Sequence, residues 1–166
     1  MRYRSMAAKS FGLEKIKPAT IFIMAATKYE SKIGQIPYNA ETVYAVLSNL
    51  ENLKRFAEAI PQDKVKDLEI TSDYVRIQVE GIAQKFTVRI VEKEAYSTIK
   101  FGVDNVPMAM NFWIQLKQMA DNDTRIKLTI KAEIPMMFRM MFEKKLQQGL
   151  EQAVDMLCQV PYANWI

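Results

Sequence analysis

Between residues 65 and 134 the apolar positions recur every second residue, whereas on either side they recur every third or fourth. A period of two is that of a strand with one wet face and one buried face; a period near 3.6 is that of a helix. Leu68 and Ile70 alternate with charges up to the turn Ser72-Asp73, and Val75, Ile77 and Val79 alternate with Arg76, Gln78 and Glu80 up to Gly81. Ile82, Gln84, Phe86, Val88 and Ile90 follow, set against Lys85, Thr87 and Arg89, then Ile99, Phe101 and Val103. Beyond Asp104-Asn105-Val106-Pro107 come Met108, Met110, Phe112, Ile114 and Leu116; the turn Asp121-Asn122-Asp123 leads into Ile126, Leu128, Ile130, Ala132 and Ile134. Short turns joining six such segments predict an antiparallel meander with one apolar face.

The flanks supply what covers that face. Residues 28–38 read as a further strand with a bulge at Gly34, closed by Pro37. Asn39 is a good N-cap, Glu41 suits the positive end of a helix, and Val43, Val46, Leu47 and Leu50 follow at helical spacing. The pattern falters at Ser48-Asn49 and resumes as Leu50, Leu53, Phe56, Ala57 and Ile60 before Pro61, which predicts two short helices meeting at a bend. From Pro135 to Gln159, Phe142, Leu146, Leu150, Ala153, Leu157 and Val160 form one stripe of a long helix that Pro161 stops. The predicted fold is α+β: a curved seven-stranded antiparallel sheet (β-α-α-β6-α) wrapped around a long C-terminal helix.

Composition narrows the chemistry. The 166 residues are 49% hydrophobic and 25% charged, with one Cys and no His. A chain of this size buries roughly 70% of its unfolded surface and needs neither metal nor disulfide to stay folded. Without His there is no Ser-His-Asp or Cys-His nucleophile and no imidazole-based zinc site; no metal or cofactor is expected. Cys158 stands beside Leu157 with no base near it in sequence, reads as core, and as an unpaired thiol fits a reducing cytoplasm.

The net charge of +4 belongs to one end. Residues 1–24 hold Arg2, Arg4, Lys9, Lys15 and Lys17 against Glu14 alone, and the remainder is balanced. A neutral domain argues against nucleic acid, which needs a concentrated basic face. The stretch Ile21–Ala26 is too short for a membrane span or a secretory signal. The expected organisation is a weakly ordered basic extension, 1–24, ahead of one domain, 25–166, with Met24 placed where a start codon would suffice.

The order of elements, together with the run Ile36-Pro37-Tyr38-Asn39-Ala40-Glu41-Thr42-Val43-Tyr44-Ala45-Val46-Leu47-Ser48-Asn49-Leu50-Glu51-Asn52-Leu53, resembles the START-like or SRPBCC superfamily, the helix-grip fold of polyketide cyclases and the birch-pollen allergen group. Ser72-Asp73 replaces the Gly-rich loop of the pollen branch, and Lys54-Arg55-Phe56 stands where a Trp-Pro pair is common, so the resemblance is to the broad superfamily. It implies a cavity between sheet and long helix for a lipid, sterol, quinone or polyketide.

Apolar alternation suits a solid core as well as a cavity. Six of the eleven Met residues fall in two segments, Met108 and Met110 on a strand and Met136, Met137, Met140 and Met141 at the start of the long helix. Met adapts to guests of different shape, and it also fills irregular cores. The candidate ligand-binding wall is Gln84, Phe86, Phe101, Met108, Met110, Phe112, Ile114, Met137, Met140 and Met141, around about 300–1,000 Å³. Gln84 would orient a polar group of the ligand, or else bond a neighbouring side chain or face solvent at a strand end; Trp113 points outward; Arg139 and Glu143 read as a surface pair. The expected function is binding or carriage of a hydrophobic small molecule, with a cyclase or hydratase using Tyr or a carboxylate as the alternative and a chaperone-associated interaction module as a third. The sequence leaves ligand identity and oligomeric state open.

Overall fold

A computed structural model describes residues 26–58, 65–79, 84–106 and 109–166. The basic segment 1–24 lies outside them. The elements are β1 (Thr27–Glu30), β2 (Gly34–Ile36), α1 (Ala40–Leu47), a 3₁₀ turn (Leu50–Asn52), α2 (Leu53–Ala57), β3 (Val65–Ile70), β4 (Tyr74–Val79), β5 (Lys85–Glu94), β6 (Thr98–Asp104), β7 (Met110–Ala120), β8 (Asp123–Ala132), α3 (Met136–Cys158) and a closing 3₁₀ turn (Tyr162–Asn164). The sheet runs β1-β8-β7-β6-β5-β4-β3, with β2 also on β8, and all pairs are antiparallel. This is the helix-grip arrangement expected from the change of period.

The sheet has eight strands where seven are expected, because the first strand is interrupted. Glu30 pairs with Thr129 and Gly34 with Ile126, so four steps on one strand face three on the other. The surplus residue is accommodated at Ser31–Ile33, just before Gly34, as at a β-bulge. Ser31 holds the break together: its N–H donates to the Leu128 carbonyl at 2.9 Å, and its Oγ accepts from the Leu128 N–H at 2.9 Å. Ile33 is thereby turned into solvent.

Gly34 sits where α3 crosses the sheet. A Cβ there would lie 2.5 Å from the Cys158 Sγ, 2.6 Å from the Val154 Cγ1 and 3.1 Å from the Ile126 Cγ2, so only glycine permits this approach. Polar contacts fix the same edge. Lys32 N–H donates to Glu151 Oε1 at 2.8 Å, the Lys32 ammonium meets Asp155 at 2.6 Å, and Gln147 Nε2 donates to the Glu30 carbonyl at 2.8 Å. The long helix therefore lies alongside β1 and β2, with Leu150 and Val154 buried beneath it.

Asn39 caps α1 as its position predicts, Oδ1 accepting from the Thr42 N–H at 2.8 Å. Gln118 Oε1 accepts the Ala40 N–H at 2.9 Å, tying the same turn to the end of β7. Asn39→Ala leaves the Thr42 N–H without its partner and is expected to cost about 1 kcal/mol, or a fall in Tm of about 2–4 °C in thermal unfolding.

Candidate functional site

The two short helices and α3 do not meet over the sheet, and a cavity of about 260 Å³ remains between them. Leu47 and Leu50, Leu53 and Phe56 form the wall on the side of α1, the 3₁₀ turn and α2. Val88, Phe101, Phe112, Ile114 and Leu128 rise from four neighbouring strands as the floor. Ala153, Met156 and Leu157 close it from α3. Phe101 and Phe112 face each other across β6 and β7 with ring centroids 5.4 Å apart. Every described residue of the wall is apolar, and none is ionisable.

The chain's end braces this wall. Tyr162 is fully buried, packs edge-on against Tyr38 at 5.7 Å, and its hydroxyl donates to the Leu157 carbonyl at 2.7 Å. Burial pushes the Tyr162 phenol far above its ordinary pKa, so it stays a neutral donor. Trp165 packs edge-on against Phe56 at 4.9 Å, with the Arg55 guanidinium over its ring at 5.2 Å. The sequence reading missed both residues; Pro161 marked only the helix end.

Of the expected wall, the structure places Phe101, Phe112 and Ile114 in the cavity. Met110 packs against the core opposite Ala132, away from the cavity, and Phe86 is half-buried opposite Ile77 without reaching it. Gln84 is exposed in a separate, open depression with Arg76, Lys85, Asn105 and Val106. Met108 lies outside the described residues. The helical methionines are the main correction: Met137, Met140 and Met141 are 80%, 90% and 60% exposed, so they do not roof the cavity.

The reason is the phase of α3. Continued backward from Leu150 and Val154, the sheet-facing stripe carries Gln147, Glu143 and Arg139 as well as Leu146. Polar groups there prevent the first half of the helix from settling into an apolar seat. Beneath it lies Tyr29, whose buried hydroxyl sits near Thr27 without a hydrogen bond of good geometry; the Arg139 Nε is likewise buried and unpartnered. Burial, and then the nearby Glu143 charge, raise the Tyr29 pKa. Arg139 and Glu143, expected as a surface pair, make no ion pair among the described residues, yet both charges act on Tyr29.

Two further expectations concern isolated side chains. Cys158 is free and half-buried, its thiol pKa raised by burial, which disfavours the thiolate a nucleophile needs. Trp113 lies on the outer face of β7, opposite to the cavity-facing Phe112 and Ile114, with the ammonium groups of Lys100 and Lys131 at 5.4 and 6.0 Å from its ring. No helix among the described residues is long and apolar enough to cross a membrane.

A sheet gripping a helix around an apolar hollow defines the START-like, or SRPBCC, class of proteins. Residues 36–154 match the family described as polyketide cyclase / dehydrase and lipid transport, and the chain belongs to that family. Among solved structures, norcoclaurine synthase from Thalictrum flavum is 12% identical, with 87% of this chain and 91% of that one covered at a TM-score of 0.68. A conserved protein from Geobacillus kaustophilus is 18% identical over 84% of this chain and 96% of its own, at 0.56. The Zhui aromatase/cyclase from Streptomyces sp. R1128 is 16% identical over 65% and 68%, at 0.50. At these identities the likeness is one of fold. No curated protein matches the sequence.

Proposed function

We propose that this protein binds and carries a small hydrophobic molecule in the cavity beneath α3, without transforming it. The observation that carries the reading is the wall itself, which has twelve described residues and no ionisable side chain. General acid–base catalysis needs such a group within hydrogen-bond reach of the reacting atom. Tyr29, the buried phenol nearest in character to a catalytic acid, lies under the first half of α3 and does not line the cavity. The family description covers cyclases and dehydrases as well as lipid transport, and the wall chemistry favours transport. A cavity also favours a ligand over the chaperone-associated module, which needs only a filled core.

Protein taken gently from its native host is expected to carry added mass in native mass spectrometry. A thermal-shift panel of fatty acids, quinones and polycyclic aromatics should contain members that raise Tm by about 5–10 °C at a hundredfold excess over Kd, since such an excess contributes about 2.7 kcal/mol. A bare-chain mass together with a flat panel contradicts carriage.

A further inference from the structure

We propose that the N-terminal end of α3 is a docking surface for an anionic lipid bilayer, which it enters end-on without crossing. The inference concerns the outside of the molecule and does not depend on the cavity being occupied.

Six large apolar residues in the first two turns of α3, Met136, Met137, Phe138, Met140, Met141 and Phe142, are 36–90% exposed. Contiguous exposed apolar surface of this kind marks contact with a partner or a membrane. With about 100° between successive residues, the six point to every side of the helix except the one that Arg139 turns toward Tyr29 and the sheet. A second copy of the chain would cover one side of such an end. A fluid apolar medium meets all of it, and unbranched Met side chains adapt to disordered acyl chains as they do to irregular partners.

The charges agree with an anionic surface. Residues 136–142 include no acidic side chain. Of the flanking acids, Glu143 lies on the sheet side near Tyr29, and Glu133 alternates with the buried Ala132 and Ile134 onto the outer face. Lys144 and Lys145 follow on the outward side of α3, both exposed and neither in an ion pair among the described residues. They stand just past Met141, about 5–6 Å along the axis at about 1.5 Å per residue. Apolar side chains of a docked helix reach about 5–10 Å into the boundary of headgroups and acyl chains. With Met137, Met140 and Met141 at that depth, the two ammonium groups lie level with the phosphates. Thr27 pairs with Ala132, four residues ahead of α3, so the basic segment 1–24 joins the domain at the same end.

The test is sedimentation of the full chain with vesicles of phosphatidylcholine alone and of phosphatidylcholine mixed with phosphatidylglycerol. Binding to the mixed vesicles, weakened by salt and on pure phosphatidylcholine, is the expected result. Met137→Ser, Met140→Ser and Met141→Ser combined should weaken it about a hundredfold, since three apolar insertions are lost. Lys144→Gln with Lys145→Gln should weaken it about thirtyfold, at about fivefold per cation near the surface. All five positions are exposed, so the melting temperature should not fall. Should a variant fail to fold, Met140→Trp, at a position 90% exposed, gives a second reading: mixed vesicles should shift its emission to the blue beyond any change seen in the unaltered protein. No sedimentation, equal sedimentation of the triple Met variant, or an unshifted Met140→Trp emission overturns docking. A dimer in ultracentrifugation that the triple variant dissociates assigns the patch to a second copy and overturns it as well. In each of these cases a ligand panel that still raises Tm leaves the carrier reading standing, while a flat panel beside intact vesicle binding removes the carrier and leaves the docking surface.

Discussion

Gly34→Ala lowers stability by about 2–3 kcal/mol, the cost of overpacking a close contact, and Gly34→Val lowers it further. In an ordinary strand the change would be neutral or favourable, since alanine narrows the unfolded ensemble. Here the new Cβ would lie 2.5 Å from Cys158 Sγ and 2.6 Å from Val154 Cγ1. Cys158 can rotate its sulfur away, but a β-branched residue in a helix has essentially one χ1 rotamer, so Val154 gives way only if the helix does. The expected fall in Tm for Gly34→Ala is about 5–10 °C. Gly34→Ala combined with Val154→Ala should cost clearly less than the sum of the two single changes, because the pair shares one contact. Denaturant unfolding of the four proteins measures this; additive costs, or a stable Gly34→Ala, would mean that α3 does not press on β2. Since Ala153, Met156 and Leu157 belong to the same stretch of helix, a lifted α3 also widens the cavity.

The architecture was legible because period carries it. Alternation in 74–90 and 110–132, the cap at Asn39 and the stop at Pro161 each follow from local chemistry, and each is present. The position of the cavity was not legible. Leu47, Leu50, Leu53 and Phe56 line it, yet an apolar residue facing a hollow and one facing a packed core have the same pattern along the chain. The methionine cluster misled for a different reason: Met is compatible with a lined cavity and with an exposed helix end, and its abundance does not distinguish them. A usable signal was present one step away. Arg139, Glu143 and Gln147 continue backward the sheet-facing stripe that Leu150 and Val154 define, which leaves Met137, Met140 and Met141 on the far side of the helix.

Ala153→Phe is the second large expected effect. Ala153 is the smallest side chain of the wall, and it projects from α3 into the hollow. A ring placed there occupies space that packing left vacant, so the free protein should be as stable as before or more so, by about 0.5–2 kcal/mol. The same ring excludes a guest from the apolar contacts with Phe101, Phe112 and Ile114. Denying a small aromatic that burial removes about 3 kcal/mol of binding or more, about a hundredfold in Kd. Ala153→Leu fills less and should fall between, which provides a graded series if the larger ring strains the helix. The most direct measurement is an equilibrium titration of naphthalene into the unaltered protein and Ala153→Phe, with the melting temperature of each recorded. Binding that disappears from a variant at least as stable as its parent is the predicted result; binding of equal strength to both would place the guest elsewhere and contradict a ligand site beneath α3.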